Sequence, residues 1–190
     1  MSFKVLVIPE DHTYNGAILK PLVEAVVADA GKVAAKVKVL EDPRMQGFDQ
    51  AVTAIRGVAL ERYAWMDLWL FMPDADRAVA AAMTSLEEGA RARGIKLLCC
   101  AAQPELEIYA SAPYRTEIPG GWPQARRHAR FKEIIFPPLL ERHGDPRRPA
   151  GGRDLMINEA VSNLGLLFQL CPELKELRDR VAEHLAGPAT

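Results

Sequence analysis

Over the first hundred residues, short apolar runs of strand length alternate with longer stretches in which apolar residues recur every three or four positions. "FKVLVIP" (3–9) has the Val and Ile content of a strand, and "NGAILKPLVEAVVADAG" (15–31) reads as a helix with Gly31 at its stop. "KVAAKVKVLE" (32–41) alternates as a second strand. "GFDQAVTAIRGVALERYA" (47–64) has helical apolar spacing, and "DLWLFMP" (67–73) is a third strand. "RAVAAAMTSLEEGARARG" (77–94) predicts a helix and "IKLLCCAA" (95–102) a fourth strand. Strands separated by helices of this length imply right-handed parallel crossovers and a sheet covered on both faces. The expected fold class is therefore α/β, with a four-stranded parallel sheet flanked by helices.

Beyond residue 102 the pattern turns helical. "PELEIYASA" (104–112) predicts a short helix, and "PQARRHARFKEIIFPPLLERHG" (123–144) a helix that is basic at its start. In "RDLMINEAVSNLGLLFQL", Leu155, Ala160, Val161, Leu164 and Leu167 make one apolar face. Leu174, Leu177, Val181 and Leu185 make another on the last helix. The chain thus divides into an α/β unit over 1–112 and a basic insert with a helical extension over 113–190.

The net charge of -1 hides an uneven distribution. Residues 1–112 carry 12 Lys and Arg against 15 Asp and Glu, residues 113–153 carry 9 against 4, and residues 154–190 carry 3 against 6. A basic segment, rich in Pro and Gly, lies between acidic flanks. With 49% hydrophobic and 26% charged residues, the chain has the composition of a soluble globular protein. Its apolar runs fall short of the roughly 18 residues of a membrane span, and "FKVLVIPE" has no signal-peptide pattern, so a cytoplasmic location is expected. Cys99, Cys100 and Cys171 form no C-x-x-C pair and read as reduced core residues.

Residues just past the strands of a parallel sheet gather along one edge, where open α/β folds bind ligands. Glu10 and Asp11 follow the first strand, Asp74 and Asp76 the third, and Glu105 and Glu107 the fourth. Six carboxylates on one edge raise one another's pKa values or demand a cation, and hard oxygen donors suit magnesium or manganese. An aspartate before a helix also caps it, so Asp74 or Asp76 could serve the helix beginning near Arg77. Glu10 and Asp11 could equally form a solvated turn. His12 has no second His or Cys nearby to build a zinc site. Arg126, Arg127 and Arg130 read either as a solvated helix face or as phosphate contacts. No glycine pattern of a nucleotide-cradling loop occurs.

The order of these acids resembles the TOPRIM family, the metal-binding domain of topoisomerases, primases and OLD-type nucleases. In "EDHTY" (10–14), Glu10 and Thr13 match the turn after strand one; in "DAD" (74–76), Asp74 and Asp76 match D-x-D; in "PELEIY" (104–109), Glu107 matches a later acid, with Tyr109 where Trp is usual. The resemblance covers roughly residues 1–112 and is similar to stand-alone TOPRIM-like proteins associated with OLD-type ATPases. Asp11 replaces the usual glycine of the first turn, and Tyr14 replaces its second acid.

The resemblance implies a Rossmann-like TOPRIM fold and a divalent-metal-dependent nuclease or related phosphoryl-transfer protein acting on nucleic acid. It implies Glu10, Asp74 and Asp76 as catalytic residues, and a Mg2+ or Mn2+ site drawn from these three with Glu105 and Glu107. Arg126, Arg127 and Arg130 would then hold the phosphates of DNA or RNA. The alternative class is a non-catalytic TOPRIM-like module that binds nucleic acid or a partner ATPase, favoured by Tyr14. A small-molecule enzyme of the same fold is a third option.

Overall fold

Alternate side chains of four short strands face opposite ways, and the fold follows from what covers each face. The strands are β1 (Lys4–Ile8), β2 (Lys36–Val39), β3 (Leu68–Phe71) and β4 (Leu97–Cys99). In the computed structural model, which describes residues 2–75 and 79–187, they form one parallel sheet in the order β2-β1-β3-β4. Val5 and Val7 of β1 share a face with Leu68 and Leu70 of β3 and Leu98 of β4. Leu6, Ile8, Trp69, Phe71, Leu97 and Cys99 face the other way. Both sets are buried, which is why β1 and β3 read as continuous apolar runs rather than as alternating ones.

The first face is covered by α1 (His12–Asp29), through Ile18, Leu19, Leu22, Val23, Val26 and Val27. The second is covered by α2 (Phe48–Arg56) and α3 (Val79–Ala92), through Ala51, Ile55, Leu86 and Ala90. Trp69 anchors this side, and its indole N–H donates to the Tyr63 carbonyl at 3.1 Å. Helix α1 starts at His12 rather than at residue 15 because Asp11 caps it, its Oδ1 accepting the Thr13 N–H at 2.7 Å. Strand β2 starts at Lys36 rather than at residue 32, since residues 32–35 turn after α1.

The remaining helices are α4 (Glu107–Ser111), α5 (Gly121–Ala125), α6 (Phe136–His143), α7 (Arg153–Ser162), α8 (Leu164–Leu170) and α9 (Pro172–Ala186). They share the α1-side core: Ile108, Phe131, Phe136, Met156, Leu167, Leu174, Leu177 and Val181 belong to the same buried cluster as Val5 and Leu70. The extension over 113–190 is thus continuous with the core of the sheet.

The expected helix over 123–144 is broken. After α5 the chain turns, resumes as a wide turn over Phe131–Ile135 and continues as α6. Pro137 and Pro138 sit in the first turn of α6, where their missing N–H groups cost no helical bond. The stretch expected as one helix before α9 is split into α7 and α8; Ala160 and Leu167 are buried and Val161 and Leu164 pack on the core as expected, while Leu155 is exposed and Met156 and Ile157 are buried instead. On α9, Leu174, Leu177 and Val181 point inward as expected and Leu185 packs beside them.

At the outer edge of the sheet, the Cys99 N–H donates to Glu87 Oε1 at 2.7 Å and the Cys99 carbonyl accepts from Arg180 Nη1 at 3.1 Å. Arg180 and Glu87 pair with each other at 2.6 Å. No helix among the described residues is long and apolar enough to cross a membrane.

Candidate functional site

From β1 the chain passes through α1 to β2 on one side, then through α2 to β3 on the other side of β1. The strand order therefore reverses between β1 and β3, and open sheets carry a crevice beyond the carboxyl ends of the strands at such a reversal. Glu10 follows β1 and Asp74 follows β3, and the structure brings them together: the Asp74 N–H donates to Glu10 Oε2 at 3.3 Å. Both line a cleft of about 470 Å³ with Asp11, Thr13, Asn15, Arg44, Gln46, Gly47 and Lys132. Gly47 closes one wall. Its φ of 98° lies in the region a side chain disfavours, and its N–H donates to the Glu10 carbonyl at 2.9 Å.

The Asp74 carboxylate is held from the next strand's loop, Oδ1 accepting the Leu106 N–H at 2.9 Å. The Ala75 N–H donates to the carbonyls of Ala102 and Pro104, fastening the end of β3 to the segment that carries Glu105 and Glu107. Glu105 Oε2 accepts the main-chain N–H of Lys132 at 2.6 Å. Glu107 opens α4 and is fully buried, and neither of its carboxylate oxygens accepts a hydrogen bond from another residue. Asp76 lies outside the described residues.

Lys132, brought in by the extension, is the residue that sequence reading passed over. Its Nζ stands 3.9 Å from Glu107 Oε1. Burial alone would lower this ammonium, but the charges of Glu107, Asp74, Asp11 and Glu105 overturn that and hold it above its ordinary value. In turn, burial pushes the carboxyls of Asp74, Glu105 and Glu107 above theirs, partly offset by Lys132. Asn15 and Arg44 were also passed over. Asn15 is 3% exposed in the cleft wall, and its Oδ1 accepts no hydrogen bond. Arg44 stands exposed at the rim.

The three arginines divide. Arg126 makes a two-pronged ion pair with Glu173 of α9, at 2.6 and 2.8 Å, and is mostly covered. Arg127 and Arg130 are exposed and line a second hollow, with Gly120, Pro123, Gln124 and His128, that shares no lining residue with the acidic cleft. Tyr14 is exposed beside the cleft's first turn, its ring 4.7 Å from the Arg153 guanidinium.

No family model matches this chain, and neither does a curated protein or a solved structure.

Whether a divalent cation suits these residues is decided by their donors. Among the described residues no three His, Cys, Asp or Glu side chains stand close enough together to form a ready ligand set. The cleft nonetheless has the right chemistry. It joins the Glu10 and Asp74 carboxylates to a buried amide oxygen, that of Asn15, which has no donor to satisfy it. Hard oxygens of this kind fit a hard cation, and Asp76 follows Asp74 by two residues.

Proposed function

We propose that this chain is a TOPRIM-like protein that hydrolyses phosphodiesters of nucleic acid with the help of a divalent cation. The observation that carries the reading is the meeting of Glu10 and Asp74 in one cleft at the reversal point of the sheet. The family pattern identifies these two acids by their order alone, and adjacency of β1 and β3 is what that pattern requires of a fold.

Glu10, Asp74 and Asn15, with Asp76, would hold Mg2+ or Mn2+. Such an ion, when bound, supplies Lewis acidity toward a phosphate oxygen and toward water. If Glu10 does not ligate the ion, it would instead accept a proton from the attacking water. Arg44 at the rim, with Arg127 and Arg130 on the neighbouring hollow, positions phosphates without reading bases. Glu105 and Glu107 would ligate a second ion in this reading, and each also meets Lys132. Glu105 anchors the Lys132 main chain, and Glu107 faces the Lys132 ammonium.

The competing reading is a module that binds nucleic acid or a partner ATPase without cutting. It is favoured by Lys132 among the carboxylates and by Tyr14 where the family has an acid. Purified protein incubated with Mg2+ or Mn2+ and single-stranded, duplex or structured DNA and RNA separates the two. Metal-dependent shortening of a substrate supports the nuclease, and retarded but intact substrate supports the binder.

A further inference from the structure

We infer that the Lys132 ammonium holds the place of a divalent cation at the acidic edge, so that an ion binds there only when this ammonium withdraws. The inference rests on the cation site of the preceding reading and adds to it the residue that controls occupancy.

Three observations carry it. The first is position: Lys132 lines the cleft with Glu10, Asp11 and Asp74, and also stands 3.9 Å from Glu107 Oε1. It is the one described cation that reaches both the cleft and the buried acid. The second is incomplete satisfaction. A buried carboxylate normally accepts several hydrogen bonds, yet the Glu107 oxygens accept none from another residue, and neither does the buried Asn15 Oδ1. The ammonium supplies charge at a distance beyond hydrogen bonding, which leaves the oxygens open to a closer partner.

The third is the anchor. The Lys132 main-chain N–H is fixed to Glu105, while its side chain is 33% exposed. The four-carbon arm can swing toward solvent without moving the backbone that carries it. Two cations cannot share these oxygens cheaply, because a divalent ion a few ångströms from an ammonium meets strong repulsion in a half-buried site. The extension thereby contributes a positioning residue: Lys132 keeps the acids gathered in the absence of an ion and competes with one in its presence.

Calorimetric titration of Mn2+ into the parent protein, Lys132→Met and Lys132→Arg tests this, together with melting temperatures of each with and without Mn2+. Lys132→Met is expected to bind Mn2+ at least about tenfold more tightly than the parent, to melt lower without the ion and to gain more on its addition. Lys132→Arg should stay near the parent. Unchanged or weaker Mn2+ binding in Lys132→Met overturns the inference. If Lys132→Met does not fold, Lys132→Gln, which keeps a donor toward Glu107 without the charge, serves the same comparison. Tighter binding without cleavage of any substrate upholds the inference and removes the nuclease. Cleavage by the parent with no gain in the variant does the reverse, and absence of both binding and cleavage in every protein removes both.

Discussion

Asp74 offers its main-chain N–H to the carboxylate of Glu10 at 3.3 Å, although the two residues are 64 apart in sequence. Neighbouring parallel strands deliver them to one point, and Asp74 is further fixed by the Leu106 N–H. Asp74→Asn keeps an oxygen to accept that bond while removing the negative charge. Metal-dependent cleavage is expected to fall about 100-fold or more, with a melting temperature within a few degrees of the parent. Cleavage at the parental rate would remove Asp74 from the chemistry.

A pH dependence follows from the buried acids. Burial holds the Glu107, Asp74 and Glu105 carboxyls above their ordinary values in the folded protein. The folded state therefore keeps protons that the unfolded chain releases. The stability this gives is fully present below the ordinary carboxyl range, about pH 4, and is lost as pH rises through the raised folded values. Asp145, Asp154 and Asp179, lowered by arginine or lysine partners, run the opposite way, so the parent's own profile mixes the two. Subtraction isolates one acid. The melting temperature of Glu107→Gln minus that of the parent should increase from about pH 4 to about pH 8; a constant difference would show that Glu107 titrates alike in both states.

The α/β half was legible because its signals are local. Short apolar runs and one alternating stretch gave the four strands, helical spacing placed helices between them, and the parallel order puts the acids after β1, β3 and β4 on one edge. What was not legible depends on docking. Nothing near Lys132 in sequence announces that the turn over Phe131–Ile135 carries it to Asp74 and Glu107, because that requires Phe131 and Phe136 to bury against the core of another segment. Arg126, Arg127 and Arg130 look equivalent in "ARRHAR", and tertiary contact with Glu173 alone sets Arg126 apart. The helix break before Phe131 was missed for the same reason: helical spacing persists across it.

That division among the arginines has a measurable form. Arg127→Ala with Arg130→Ala should weaken nucleic-acid binding and lessen the slope of log affinity against log salt by about 2, one per lost phosphate contact. Arg126→Met should instead leave Glu173 unpaired in a mostly covered site and cost about 2–4 kcal/mol of stability. Filter binding over a salt series and urea melts of both variants check the contrast. Equal loss of affinity from Arg126→Met, without loss of stability, would place that residue with the other two.

The last helix reaches the sheet through Arg180, which holds Glu87 at 2.6 Å and the Cys99 carbonyl at 3.1 Å. Arg180→Met removes both contacts and frees Glu87 from its counter-charge. A loss of about 1–3 kcal/mol is expected in denaturant melts. Sedimentation of the same variant should reveal more concentration-dependent association than the parent shows, and a variant equally stable and no more associated would refute the assignment.

The pairing at Cys99 also bears on how the protein meets its own copies. A sheet of four strands ends in main-chain groups that invite another strand, and such ends are where proteins stick to one another. A newcomer that pairs at Cys99 has to pull apart two opposite charges first. At this point of its β4 edge the sheet ends in a lock made of side chains, and a helix from the far end of the chain holds the key.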